Sequence, residues 1–236
     1  MSWLMLHGFT GSPASFARLD VPGPASRPTL GGHLAEPASP DYWAEVDRLA
    51  ELSPEATELF GYSLGGRLAL GLLARYPRRY TRAVLISAHP GLRTQAERLA
   101  RQVHDDRFIR LLREQGLPGF VAAWEGQSLW DSQKDLPVHL RSQKRAERMG
   151  HCADGLADSL ASVGLGRMPD LRSELSRSTC AVDLLVGGQD EKFLALAREL
   201  STLMPHARIS VAQNAGHDLI LERPALCSAY LLKGIM

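Results

Sequence analysis

Gly61-Tyr62-Ser63-Leu64-Gly65 is a GxSxG sequence. A serine in that frame can act as a nucleophile or as a base. The apolar run Glu58–Tyr62 precedes it and a helical pattern, Leu64–Tyr76, follows, which is the strand–turn–helix context of a nucleophile elbow. The flanking glycines meet a steric need: the turn is too tight for side chains, and it forces Ser63 out above the sheet. A free hydroxyl is a weak nucleophile and a weak base, so Ser63 needs a partner to take its proton. His217, in Asn214-Ala215-Gly216-His217-Asp218, can take it. Asp190, at the end of the run from Leu184, can hold the imidazole tautomer and stabilise the imidazolium. Asp183 and Asp218 are rival acids. Asp183 lies inside an apolar run and Asp218 follows the histidine directly, so Asp190 suits a loop at a strand's carboxyl end better. His7-Gly8-Phe9-Thr10-Gly11 follows the first apolar run. The N–H groups of Phe9 and Leu64 can then flank an oxygen on which negative charge develops, forming an oxyanion hole.

Positioning such a set requires strands that end together. Short apolar runs at Trp3–Leu6, Glu58–Tyr62, Ala83–Ile86, Val182–Val186 and Arg208–Val211 fit strands buried on both faces. Helical stretches at Leu64–Tyr76, Phe193–Met204 and Pro224–Leu232 alternate with them, which implies a parallel sheet covered on both sides. Between about His89 and Ser178 the strand-like runs disappear. Gln95–Gln115 and Ala153–Val163 have helix periodicity there, with breaks at Gly116, Pro118, Pro137, Gly164 and Pro169. The expected organisation is an α/β core of residues 1–88 and 179–236, interrupted by a helical cap of residues 89–178.

The 236 residues carry 27 Lys and Arg against 26 Asp and Glu, a net charge of +1 that gives no support to nucleic-acid binding. Apolar residues make up 44%, as in a globular protein, and no run is long enough to span a membrane. The N-terminus lacks the basic start of a signal peptide. Cys152, Cys180 and Cys227 are odd in number and widely spaced, so free thiols in a cytoplasmic protein are expected. No histidine or cysteine spacing matches a metal site, and neither a metal nor another cofactor is expected. His104, His139, His151 and His206 read as solvated surface, while His33 and His89 could line a pocket or serve packing.

Several stretches together resemble a known family. These are LHGFTGS (Leu6–Ser12), GYSLGGRLAL (Gly61–Leu70), SAHPGLRTQAERLAR (Ser87–Arg101), FVAAWEGQSLW (Phe120–Trp130), GLADSL (Gly155–Leu160), GGQDEKF (Gly187–Phe193) and NAGHDLILERP (Asn214–Pro224). The chain resembles α/β-hydrolase-fold proteins, and more narrowly the 2-succinyl-6-hydroxy-2,4-cyclohexadiene-1-carboxylate synthase family of menaquinone biosynthesis. The resemblance implies a mostly parallel sheet with a helical cap. It implies a lyase that needs no cofactor and eliminates pyruvate from a succinyl-enolpyruvyl-hydroxycyclohexene-carboxylate. Carried over by position, it assigns Ser63, Asp190 and His217 to the triad. It assigns substrate binding to Tyr62, Arg67, Arg101, Trp124 and Arg148. The sequence departs from the family at Ser26–His33, which replaces the usual strand ending in Pro-Gly-His-Gly, and at Ser128 and Trp130. An N-terminal edge hairpin is expected to be short or absent.

The residues themselves support part of this. Arg67 lies four positions after Ser63, hence on the same helix face, and its planar fork of donors suits a carboxylate better than a neutral ester. Arg98 and Arg101 share a face of a cap helix. The expected partner is a small polycarboxylate, with no nucleic acid or membrane, and the chain a monomer or small homo-oligomer. Alternatives are a serine hydrolase of small anionic esters or thioesters, and a non-catalytic binding protein, against which the intact triad argues. Ser63→Ala should abolish turnover while leaving the circular dichroism spectrum unchanged; near-normal activity in the purified variant would remove Ser63 from the reaction.

Overall fold

The computed structural model describes residues 2–233. Six strands form one sheet in the order β2-β1-β3-β4-β5-β6. They are β1 (Trp3–Leu6), β2 (Ala25–Ser26), β3 (Glu58–Tyr62), β4 (Arg82–Ile86), β5 (Ala181–Gly187) and β6 (Ala207–Ala212). Every pairing between them is parallel, so their carboxyl ends share one edge. The five apolar runs all form strands. The sixth, β2, is a two-residue edge strand alongside Trp3 and Leu4, and too short to leave a pattern in the sequence.

Alternate strand residues feed two apolar layers. Leu4, Leu6, Leu59, Leu85 and Leu184 pack against α1 (Tyr42–Leu52), α2 (Leu64–Arg75) and α7 (Glu191–Leu203). Trp3, Met5, Phe60, Val84 and Leu185 pack against α8 (Leu219–Glu222), α9 (Pro224–Leu232) and a 3₁₀ turn at Pro13–Phe16. Helix α1 was not anticipated. Its signals are an Asp41 side chain accepting from the Ala44 N–H at 2.9 Å, and buried Tyr42, Val46, Leu49 and Ala50 on one stripe.

Between β4 and β5 stand α3 (Gln95–Glu125), a 3₁₀ segment (Ser128–Asp135), α4 (Val138–Met149), α5 (Ala153–Val163) and α6 (Arg172–Leu175). A capping box at Thr94 and Glu97 starts α3. Gly116 breaks it into two arms at φ 63°, a conformation that glycine adopts freely, and Pro118 sits in the first turn of the second arm. Phe108, Leu112, Phe120, Val121, Leu156 and Leu160 give these helices an apolar cluster of their own. Helix α4 is tied to the sheet's carboxyl edge. Glu147 accepts from the Ser12 and Ser15 hydroxyls at 2.7 and 2.6 Å, and Lys144 bridges Glu147 and Asp218. All three cysteines are free, with Cys152 exposed and the other two buried.

Helix α2 lies close against β1. A Cβ on Gly65 would sit 2.0 Å from the Leu6 carbonyl oxygen, so backbone would have to move to admit it. Gly65→Ala should therefore lower the free energy of unfolding by about 1–3 kcal/mol, the range for overpacking. Urea denaturation measures this directly, and an unchanged midpoint would mean that the α2–β1 contact is loose.

Candidate active site

Ser63 follows β3 directly and has φ 52° and ψ −107°. Its N–H donates to the Ile86 carbonyl at 2.9 Å, and the Gly65 N–H donates to the His7 carbonyl at 3.0 Å, locking the turn to both neighbouring strands. A Cβ on Gly61 would lie 2.6 Å from the Gly65 oxygen, the crowding expected of the GxSxG turn.

The loop after β6 brings His217 over this turn. Its Nε2 is 3.0 Å from Ser63 Oγ, so it can accept the hydroxyl proton, and its Nδ1 donates to Asp190 Oδ2 at 2.7 Å. His217 and Asp190 are buried, and Ser63 is half-buried. Of the three acids weighed from the sequence, Asp190 is the one that reaches the imidazole. Asp183 pairs with Arg82 and Lys233, and Asp218 accepts from the Leu221 N–H at the start of α8. Ser87, which sequence reasoning missed, donates to the His217 carbonyl at 3.2 Å and faces Asp190 Oδ2 at 3.5 Å.

A cavity of about 250 Å³ opens above Ser63. Phe9 and Leu64 line it, and among the described residues neither backbone N–H has an acceptor. Tyr62, Arg67, Arg101 and Trp124 line it as well. Arg67 donates to the Val163 carbonyl at 3.0 Å and has no ion-pair partner among the described residues. Burial, with Arg101 nearby, lowers its pKa to about 10. Arg101 is held by Asp105 at 2.8 Å. Arg98 turns instead to the Leu92 carbonyl and does not line the cavity. Lys192, two residues after Asp190 in the run DEKF, adds a third cation that sequence reasoning did not single out. Among the described residues, no Asp or Glu lines the cavity.

Arg148 stands apart. It is 3% exposed, donates to Glu125 at 2.9 Å and stacks over Trp130 at 5.1 Å. It lines a neighbouring cavity of about 330 Å³, and Trp130 borders both cavities. The structure does not bring Arg148 into the Ser63 cavity as the resemblance implied. Glu125 and the Trp130 ring, one of the departures from the family pattern, hold it on that side.

The histidines divide differently from the sequence reading. His139 and His206 are exposed, and His104 is exposed at the cavity mouth. His151 is a correction: it is buried, and its Nδ1 accepts from the Leu34 N–H at 3.0 Å. His89 lines the cavity and accepts from the Gly91 N–H, whereas His33 is buried beside His7 and does not line the cavity.

An alpha/beta hydrolase family model matches residues 3–229. The 2-succinyl-6-hydroxy-2,4-cyclohexadiene-1-carboxylate synthase of Escherichia coli O1:K1 / APEC is 32% identical, over 95% of this chain and 90% of the relative. The chain belongs to the alpha/beta hydrolase family, in the branch of these synthases. A Bacillus subtilis (strain 168) protein provisionally given the same synthase name is 37% identical over 94% of this chain and 85% of its own length. The structure of MenH from S. aureus superposes with a TM-score of 0.90 at 26% identity, over 99% of this chain and 93% of that one. A thermophilic esterase from Thermogutta terrifontis shares the fold, with a TM-score of 0.82 at 21% identity over 100% and 89% of the two chains.

Burial sets a pH dependence on stability. His7 and His89 each have a pKa lowered from 6.5 to about 3, mainly by desolvation. Between those values the unfolded chain takes up protons that the folded chain refuses. Stability is therefore complete above about pH 6.5 and declines as the pH falls toward 3. Each histidine contributes up to about 1.4 kcal/mol per pH unit. Urea titrations from about pH 7 to about pH 4 should show the decline; a flat profile would mean that both imidazoles are charged in the native state.

Proposed function

We propose that this chain is a lyase that releases pyruvate from a succinyl-enolpyruvyl-hydroxycyclohexene-carboxylate, giving 2-succinyl-6-hydroxy-2,4-cyclohexadiene-1-carboxylate for menaquinone biosynthesis. The observation that carries the reading is the cation content of the Ser63 cavity. Among the described residues, Arg67, Arg101 and Lys192 line it without a single carboxylate, and the half-buried Arg67 has no acid of its own. A guanidinium partly taken out of water without a counter-charge is costly, and a substrate bearing several carboxylates supplies what the fold withholds.

Ser63, oriented by His217, removes a proton from a substrate carbon, and the proton passes to the imidazole. The electron pair left by the C–H bond becomes a new C=C bond as the C–O bond to the enolpyruvyl group breaks. The departing pyruvate enolate takes up a proton and leaves as pyruvate. Charge that develops on a conjugated carboxylate or carbonyl oxygen during deprotonation falls between the Phe9 and Leu64 N–H groups. Asp190 keeps the imidazole in the tautomer that can accept from Ser63. The helices from α3 to α6 act as the cap, contributing Arg101 and Trp124 while the core contributes the proton-transfer groups. No acyl-enzyme forms on this route, which separates it from ester hydrolysis at the same serine.

Arg67→Ala should reduce kcat/KM on the enolpyruvyl substrate by the equivalent of about 2–5 kcal/mol, and Arg67→Lys should restore only part, because an ammonium lacks the two-pronged geometry. Turnover of a neutral test ester should change far less. Equal losses on both substrates would reduce Arg67 to a support of α2, and ester hydrolysis without pyruvate release would favour a hydrolase.

A further inference from the structure

Phe9 has a free N–H, but a free N–H is useful only if its direction is fixed. The peptide groups on either side of Phe9 are each held by a buried imidazole. On one side, the Gly8 carbonyl accepts from His7 Nδ1 at 2.9 Å and from the Gly11 N–H at 3.0 Å. In a planar trans peptide the C=O and the following N–H point in opposite directions. Holding the Gly8 oxygen therefore aims the Phe9 N–H the other way. On the other side, the Thr10 N–H donates to His33 Nε2 at 3.2 Å. Thr10 has φ 63°, a left-handed conformation that a β-branched residue rarely adopts, so something must hold it there.

The backbone dictates both tautomers. The Leu30 N–H donates to His7 Nε2 at 3.2 Å, which leaves the ring proton on Nδ1, the atom facing the Gly8 oxygen. The Thr10 N–H likewise claims His33 Nε2, which leaves the His33 proton on Nδ1, facing the Gly31 oxygen at 3.2 Å. Both rings are fully buried and packed edge-on with centroids 4.9 Å apart, and desolvation keeps both neutral. The Phe9 ring is itself wedged between His33 and Trp124, with centroids 5.5 and 5.3 Å away.

We infer that His7 and His33 are positioning residues for the oxyanion hole: two neutral imidazoles, one donating to the Gly8 carbonyl and one accepting from the Thr10 N–H, fix the direction of the Phe9 N–H. The inference rests on the reading of Phe9 as an oxyanion donor. Neither histidine touches substrate; each acts through the backbone.

The opposite roles of the two rings give a crossed test. An Asn amide reaches where Nδ1 stands, and a Gln amide reaches where Nε2 stands. His7→Asn keeps the donor to Gly8, and His7→Gln loses it. His33→Gln keeps the acceptor for Thr10, and His33→Asn loses it. The expected result for pyruvate release is a fall in kcat of about 10- to 100-fold in His7→Gln and His33→Asn. KM should stay within about threefold, and His7→Asn and His33→Gln should recover most of the rate. Histidine ring ¹⁵N spectra of the wild type should show Nδ1 protonated and Nε2 bare at both positions. Equal losses for Asn and Gln at both sites, following thermal stability, would reduce the pair to packing and overturn the inference. If the wild type releases no pyruvate, the functional reading fails, and the Phe9 amide resonance then decides the inference. A shift with faster hydrogen exchange in His7→Gln but not His7→Asn upholds it, and no difference between the two overturns it.

Discussion

The backbone of Ser63 is held where a side-chain-bearing residue rarely settles, and the upper edge of the sheet is arranged around that fact. A residue in such a conformation costs about 1–3 kcal/mol, and it persists only where its surroundings over-determine it. The surroundings here are two backbone hydrogen bonds, from Ser63 to β4 and from Gly65 to β1, and two glycines whose missing side chains let the turn close. With the serine fixed, the Leu64 N–H is fixed as well, because it opens α2. The loops after β1, β5 and β6 then need only rise from a common edge to bring Phe9, Asp190 and His217 within reach. Parallel pairing throughout the sheet supplies that edge.

Charge is distributed unevenly around this point. The proton-handling side is compensated, since His217 rests on Asp190 and Asp190 is met by Ser87. The recognition side is compensated only at Arg101, which Asp105 holds: Arg67 has a carbonyl in place of an acid, and Lys192 has its ammonium pKa lowered by burial and by Arg101. The asymmetry separates two tasks. A compensated histidine can pass a proton back and forth with little reorganisation. Uncompensated cations hold their affinity in reserve for an anion that brings its own charge.

What the sequence revealed follows the range of the interactions involved. The elbow was legible because Gly61, Ser63 and Gly65 act on one another within five residues, and the five longer strands because a doubly buried strand is apolar throughout. Asp190 was separable from Asp183 and Asp218 because its place at the end of a run anticipates a loop. The two-residue β2 and the role of Ser87 depend on partners far along the chain and left no local trace. Lys192 was in view within a quoted stretch, but its direction into the cavity is a matter of how α7 lies. His151 sits among polar residues and reads as surface. It is buried because the loop carrying Leu34 folds over it, which no periodicity records. Arg148 shows the same limit from the other side: its position matched the family pattern, yet its side chain stacks on Trp130 and lines the neighbouring cavity.

The ties of α4 to the sheet's edge bear on how the molecule comes apart. Glu147 holds the two serines that follow the Phe9 loop, while Lys144 reaches Asp218, the residue next to His217. Gly32 and Gly155 approach so closely that a Cβ on Gly32 would lie 2.3 Å from the Gly155 oxygen. Melting the helices between β4 and β5 would therefore strip the loops around Phe9 and His217 of their supports. In cooperativity terms, the inserted helices and the sheet's upper rim form one unfolding unit, although the insertion has an apolar cluster of its own. The first arm of α3 is held in the same unit, because Phe9 packs against the cluster that contains its Phe108 and Leu112.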